Sequence, residues 1–140
     1  MYEFTNEKNT KKKKYEIHKK PIRSIEFDAS GKYLFSGATD KAVKMTDVET
    51  SQVKWKQLKA HDCALYKVQP INEYLVATGD DEGSVKLWDF RTNKVVMEDR
   101  PFDDYVSSFF VDPDERSLVA GSGEGTRKKK TLLFLSLIHI

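Results

Sequence analysis

Apolar and polar residues alternate along this chain in short bursts, each closed by turn residues. Ile22-Arg23-Ser24-Ile25-Glu26-Phe27 is one burst, and Asp28-Ala29-Ser30-Gly31-Lys32 closes it. A period of two puts alternate side chains on opposite faces of a strand, so such bursts predict half-buried β-strands. The same reading predicts strands over residues 33–36, 42–47 and 53–58, separated by Thr39-Asp40-Lys41 and by Glu49-Thr50-Ser51-Gln52. It predicts four more over residues 65–68, 74–77, 84–89 and 94–97, then two over 106–111 and 117–120. Near the start, residues 2–5 and 15–17 read as the last two strands of an earlier unit, with a polar loop from Asn6 to Lys14 between them. Short, alternating strands separated by turn residues are the signature of an all-β fold, which is the fold class expected.

The pattern repeats. Ser36-Gly37-Ala38-Thr39-Asp40, Thr78-Gly79-Asp80-Asp81-Glu82 and Ala120-Gly121-Ser122-Gly123-Glu124 are versions of one phrase. Its leading glycine recurs every 42 residues (79 − 37 = 121 − 79 = 42), and in this alignment the turn acid recurs as Asp40, Glu82 and Glu124. A fixed period of about 40–45 residues is the length of one four-stranded propeller blade. Residues 18–60 and 61–102 are expected to be nearly complete blades. Residues 1–17 are expected to end a preceding blade, and 103–126 to be a truncated one. Closing a ring takes about four blades or more, so the chain is expected to be a piece of a longer protein.

Bulk composition changes the picture little. The 140 residues are 39% hydrophobic and 33% charged, with a net charge of +2, too small to announce nucleic acid. A single cysteine, Cys63, excludes an intramolecular disulfide and fits a reducing compartment. The first residues lack the apolar run of a secretory signal. Residues 131–140 are apolar but far shorter than the ~20 residues that cross a bilayer. Arg127-Lys128-Lys129-Lys130 interrupts the repeat, and Ser136-Leu137-Ile138-His139-Ile140 looks like translated adaptor sequence. Residues 127–140 are therefore expected to be a non-native or disordered tail.

The residues around Gly83-Ser84-Val85-Lys86-Leu87-Trp88-Asp89, together with His61, resemble the WD repeat. The resemblance covers residues 15 to 126. It implies a partial β-propeller, two nearly complete four-stranded blades flanked by incomplete ones. It also implies a buried hydrogen-bonded tetrad of His, Ser or Thr, an acid and Trp. Carried over by position, the middle repeat offers His61, Thr78, Glu82 (or Asp81) and Trp88. The first offers His18, Ser36 and Asp40, with Thr46 where Trp would stand. In the third, Asp104 falls where His would be. The phrases from Ala77 to Asp89 and from Asp112 to Thr126 resemble one branch of the family that is nucleolar and associated with ribosomal RNA processing and large-subunit biogenesis.

Other chemistry is weakly signalled. His18 and His61 lack the Cys/His spacing of a zinc site, and Asp80-Asp81-Glu82 lacks the closing Glu of a calcium loop, so no metal is expected. Gly121-Ser122-Gly123-Glu124-Gly125 lacks the Gly-Lys-Ser/Thr ending of a phosphate loop. Cys63 has no placed base, and no serine sits in a nucleophile-elbow motif. Trp55 and Trp88 fall in strands and read as core. Lys11, Lys12, Lys13 and Lys14 form a polybasic run that could meet RNA phosphate without reading sequence.

The expected function is a non-catalytic scaffold for protein–protein interaction within a larger, pre-ribosomal assembly. No cofactor, small-molecule substrate or membrane is expected. An adaptor outside the nucleolus and an RNA-binding module built on the lysine runs are the alternatives.

Overall fold

A computed structural model describes residues 17–112 and 117–123, together with the backbone of 132–136. The alternating bursts become strands. β1 (Ile22–Phe27), β2 (Tyr33–Ala38), β3 (Val43–Asp47) and β4 (Val53–Gln57) form one antiparallel sheet in chain order. β5 (Leu65–Pro70), β6 (Leu75–Asp80), β7 (Val85–Asp89) and β8 (Lys94–Asp99) form a second sheet of the same order. β9 (Val106–Asp112) and β10 (Ser117–Ser122) begin a third, and β11 (Leu132–Ser136) completes it as a three-stranded sheet. Every described element is a strand, and the meander topology is that of successive propeller blades.

β11 falls within residues 127–140, the segment expected to be a non-native or disordered tail: Leu132 to Ser136 pairs antiparallel with β10, from Gly121↔Leu132 to Ser117↔Ser136. The physical reason is the edge of β10: its unpaired N–H and C=O groups accept any extended apolar segment within reach. The tail thus takes the place of the third blade's missing third strand.

Turns repeat as closely as strands do. Asp47 ends β3 and its Oδ1 accepts the amides of Glu49 and Thr50 at 2.9 and 3.2 Å. Asp89 ends β7 and does the same for Arg91 and Thr92 at 3.0 and 3.2 Å. Ser51 and Asn93, 42 residues apart, share a left-handed backbone at φ 63° and 61°. Lys41 and Gly83 share another, at φ 72° and 96°. At Gly83 a Cβ would also meet the Phe102 carbonyl oxygen at 2.2 Å, so only glycine fits there.

Two apolar layers hold the sheets together. Phe35, Met45 and Trp55 of the first sheet pack against Leu65, Val68, Val76 and Trp88 of the second. Leu75, Ala77 and Leu87 of the second pack against Leu118, with Phe109 and Val111 beside it, in the third. The first two of the evenly spaced glycines sit at these sheet-to-sheet contacts. A Cβ on Gly37 would lie 2.6 Å from Val68 Cγ2, and one on Gly79 would lie 2.5 Å from Val106 Cβ. The 42-residue phrase therefore marks where one sheet approaches the next too closely for any side chain.

Candidate functional site

In the second sheet, four side chains from three segments converge. β6 supplies Thr78 and Asp80, β7 supplies Trp88, and the β4–β5 connection supplies His61; all four are buried. Trp88 Nε1–H donates to Thr78 Oγ1 at 2.9 Å. His61 Nε2 lies 2.7 Å from Thr78 Oγ1, and its Nδ1 lies 2.9 Å from Asp80 Oδ2. A carboxylate only accepts, so Nδ1 carries the proton that it donates to Asp80. Thr78, already receiving the indole N–H, donates its own proton to Nε2. The chain Trp88 → Thr78 → His61 → Asp80 leaves no buried polar group in it unsatisfied, which matters where each orphan costs about 1–3 kcal/mol.

The acid is the correction here. The repeat alignment points to Glu82 or Asp81, and the structure uses Asp80. Glu82 is exposed, 4.0 Å from Arg100. Both oxygens of Asp81 lie 3.0 Å from Arg23 Nη1. Asp80 stands at the end of β6 and works from there: its Oδ1 accepts the amides of Glu82 and Ser84, both at 2.9 Å. In the first sheet the equivalent amide, Ala42, is accepted by Asp40 Oδ1 at 3.0 Å. One task is done from the turn in one blade and from the strand end in the next.

The first sheet brings His18, Ser36 and Asp40 together as the sequence implies. His18 Nδ1 donates to Asp40 Oδ2 at 3.0 Å, and Ser36 Oγ lies 2.8 Å from His18 Nε2. Thr46 stands where Trp88 stands in the second sheet; it is buried, and its hydroxyl has no hydrogen-bond partner. In the third sheet Asp104 caps the amide of Tyr105 at 2.8 Å, while Ser122 Oγ donates to the Tyr105 carbonyl at 3.3 Å. Trp55 and Trp88 meet edge to face at 5.9 Å and are core, not stacking platforms. Sequence reasoning missed Asn93, whose Oδ1 accepts Trp55 Nε1–H at 2.9 Å and so ties the two sheets at their outer edge. Its counterpart at the same left-handed turn position, Ser51, was the available signal.

Burial pushes the His18 imidazole below its ordinary 6.5, against the hydrogen bond and charge of Asp40 and with the help of Lys44. Burial would raise the Asp40 and Asp80 carboxyls. Hydrogen bonds from Ala42 and His18, and from His61 and Ser84, outweigh it and hold both below their ordinary 3.8. The folded chain therefore binds fewer protons than the unfolded one on the acid side. The His18 contribution is complete above pH 6.5 and fades as pH falls through the lowered folded value. The carboxylate contributions are complete above pH 3.8 and fade below it. The urea midpoint is expected to fall between about pH 7.5 and about pH 5, and His18→Gln should flatten that limb.

The described surface offers little chemistry. A cleft of about 350 Å³ beside the second tetrad is lined by Asp62, Glu82, Glu98 and Asp99, with Lys86 and Arg100. Burial, with the nearby Asp80 carboxylate, pushes the Cys63 thiol up to about 11, which keeps it a thiol at neutral pH. Among the described residues no group of His, Cys, Asp or Glu is placed to hold a metal ion, and no helix is long and apolar enough to cross a membrane. Lys11, Lys12, Lys13 and Lys14 lie outside the described residues.

Four-stranded antiparallel blades, each locked by a His–Asp pair reaching a Ser or Thr on its second strand, define the WD-repeat class of β-propeller. The chain belongs to that family: the WD domain, G-beta repeat model matches residues 9–47 and 53–89. Within it, the chain is 38% identical over 125 residues to the WD repeat-containing protein 55 homolog of Drosophila persimilis. The figures for the homologs of Drosophila willistoni and Drosophila simulans are 39% and 37%. Each match covers 89% of this chain and 25% of the relative, so the chain spans about a quarter of the length of these curated relatives.

Proposed function

We propose that this chain is part of a non-catalytic WD-repeat scaffold that holds proteins together during ribosomal RNA processing and ribosome biogenesis, and that it works in the nucleolus. The observation that carries the reading is the match to the WD repeat-containing protein 55 homologs, sustained over 125 residues. It runs through the phrases by which the sequence resembles the nucleolar branch. The buried tetrad of the second sheet and the His18–Ser36–Asp40 triad of the first favour a rigid support role, because their polar atoms are spent on one another and not turned toward a substrate.

Charge favours proteins over RNA at the described turn end of the second blade. Among the described residues, Asp62, Glu82, Glu98 and Asp99 outnumber Lys86 and Arg100 around the cleft, and Asp81 beside it pairs with Arg23, an acidic balance that disfavours phosphate. The Lys11 to Lys14 run adds attraction to RNA that is insensitive to base identity. The test is to deplete the protein carrying this chain and follow ribosomal RNA precursors, with a tagged copy imaged in parallel. Accumulated precursors and nucleolar signal are expected. Unchanged precursors with a tagged copy excluded from nuclei would leave only a scaffold working elsewhere.

A further inference from the structure

At the end of the sheets that holds His18 and His61, equivalent positions of the first two sheets carry opposite charge. Lys19 follows His18, whereas Asp62 follows His61. On β4 Lys56 stands opposite Lys44, whereas on β8 Glu98 stands opposite Lys86. Lys41 holds the left-handed turn position that Gly83 holds in the second sheet. Lys19, Lys41, Lys56 and Lys59 are exposed, and none has an acidic partner among the described residues. The turn acid of the first sheet, Asp40, is already spent on His18.

The like-charged pair is a cost left standing. Lys44 Nζ donates to the Ile17 carbonyl, as Lys86 Nζ donates to the Ala60 carbonyl, so both ammonium groups are held at this end. Lys86 has an acid across the strand and Lys44 has a second lysine, which destabilises the pair. An anion bound there from outside would relieve it. The boundary between the two halves lies in the β4–β5 connection. The Lys41 carbonyl accepts the Ala60 amide at 2.9 Å, which holds Lys59 near the β2–β3 turn. Just beyond His61, Asp62 opens the acidic half around the cleft with Glu82, Glu98 and Asp99. Neither half is a face on which sheets pack. The second sheet has a neighbour on each side, yet Asp62, Glu82, Glu98 and Asp99 stay exposed. Stacking of sheets therefore leaves this end open.

We propose that this end docks a partner protein through an extended segment of mixed charge, its acidic stretch over Lys41, Lys56 and Lys59 and its basic stretch over Glu82, Glu98 and Asp99. Charge complementarity selects the occupant. RNA is anionic along its whole length and meets repulsion at the second sheet. A wholly acidic or wholly basic segment matches one half and is repelled by the other. The inference rests on the scaffold reading and adds the chemistry of what the scaffold holds.

The test measures fluorescence anisotropy with the whole protein carrying this chain. The probes are a block of glutamates joined by a Gly-Ser spacer to a block of lysines, each block alone, and single-stranded poly(U) RNA. The two-block peptide is expected to bind most tightly, and less tightly as salt rises. Lys41→Glu with Lys56→Glu should weaken it at least about tenfold, and so should Glu82→Lys with Glu98→Lys. All four substitutions together exchange the halves and restore the net charge, so the two-block peptide should bind again in the reverse direction. Circular dichroism reports that each variant is folded, as expected for exposed positions. The proposal is overturned if the two-block peptide does not bind, if RNA or a single block binds as tightly, if either double variant binds like the parent, or if the fourfold variant recovers nothing. Ribosomal RNA precursors and imaging decide where the scaffold works, and peptide binding holds or fails independently of them.

Discussion

Trp88→Ala is expected to remove about 3–5 kcal/mol of stability, the usual cost of truncating a buried aromatic. Trp88 lies in the layer between the first two sheets, edge to face on Trp55, with Phe35, Leu65 and Val76 in the same cluster. The substitution opens a cavity that stiff strands on both sides cannot close. It also takes from Thr78 the indole N–H donated at 2.9 Å. A small domain has only about 5–15 kcal/mol in hand, so the variant should sit close to unfolding. Thr46 occupies the same register, paired with Val53 as Trp88 is paired with Val95. Thr46→Ala should cost far less, because the hydroxyl it removes is buried without a partner. Thr46→Val keeps the volume, discards the orphan hydroxyl and is expected to stabilise by about 1 kcal/mol. Urea denaturation followed by far-ultraviolet circular dichroism ranks the three. Equal losses for Trp88→Ala and Thr46→Ala would show that the tetrad's Trp position carries no special weight in this chain.

Outer strands such as β1 and β4 could be read from alternation, whereas β2 and β6 are buried along nearly their whole length and were legible as short apolar runs closed by turn residues. Strand ends were not legible. β6 runs on through Gly79 and Asp80, residues whose types signal a turn, because the neighbouring third sheet needs a glycine there and His61 needs an acid. The repeated glycines were legible as a period and not as a cause; the cause is a contact between sheets that no single strand encodes. His18, Ser36 and Asp40 were found because the first repeat keeps the usual spacing. The middle repeat slips: its histidine comes 43 residues after His18, while its glycine comes 42 after Gly37. The acid slips the opposite way, standing 19 residues after His61 as Asp80 where Asp40 stands 22 after His18 (80 − 61 = 19, 40 − 18 = 22). The pairing of Leu132–Ser136 with β10 was invisible for a different reason, since it depends on a vacant sheet edge and not on the repeat.

The second large effect follows from where the acid sits. Asp80→Ala is expected to cost about 3 kcal/mol, because it strips the acceptor from three donors at once, His61 Nδ1 and the amides of Glu82 and Ser84. The side chain is only 4% exposed, so little water replaces it on the His61 side, while the amides border the cleft and recover part of the loss. Asp80→Asn keeps one oxygen for the two amides and turns an NH₂ group toward His61, where the proton on Nδ1 opposes it. It should lose less than Asp80→Ala and more than nothing. Glu82→Ala touches only an exposed contact at 4.0 Å from Arg100 and should stay within about 0.5 kcal/mol of the parent. A double substitution, Asp80→Ala with His61→Ala, separates the pair from the turn: the two losses should fall short of additive, because the second change removes a donor already orphaned by the first. Chemical denaturation of these four variants and of His61→Ala alone decides the matter. A Glu82→Ala loss as large as that of Asp80→Ala would return the acid to the position that the 42-residue period assigns it. The expected order, Asp80→Ala worst, then Asp80→Asn, then Glu82→Ala, fixes the tetrad as His61, Thr78, Asp80 and Trp88.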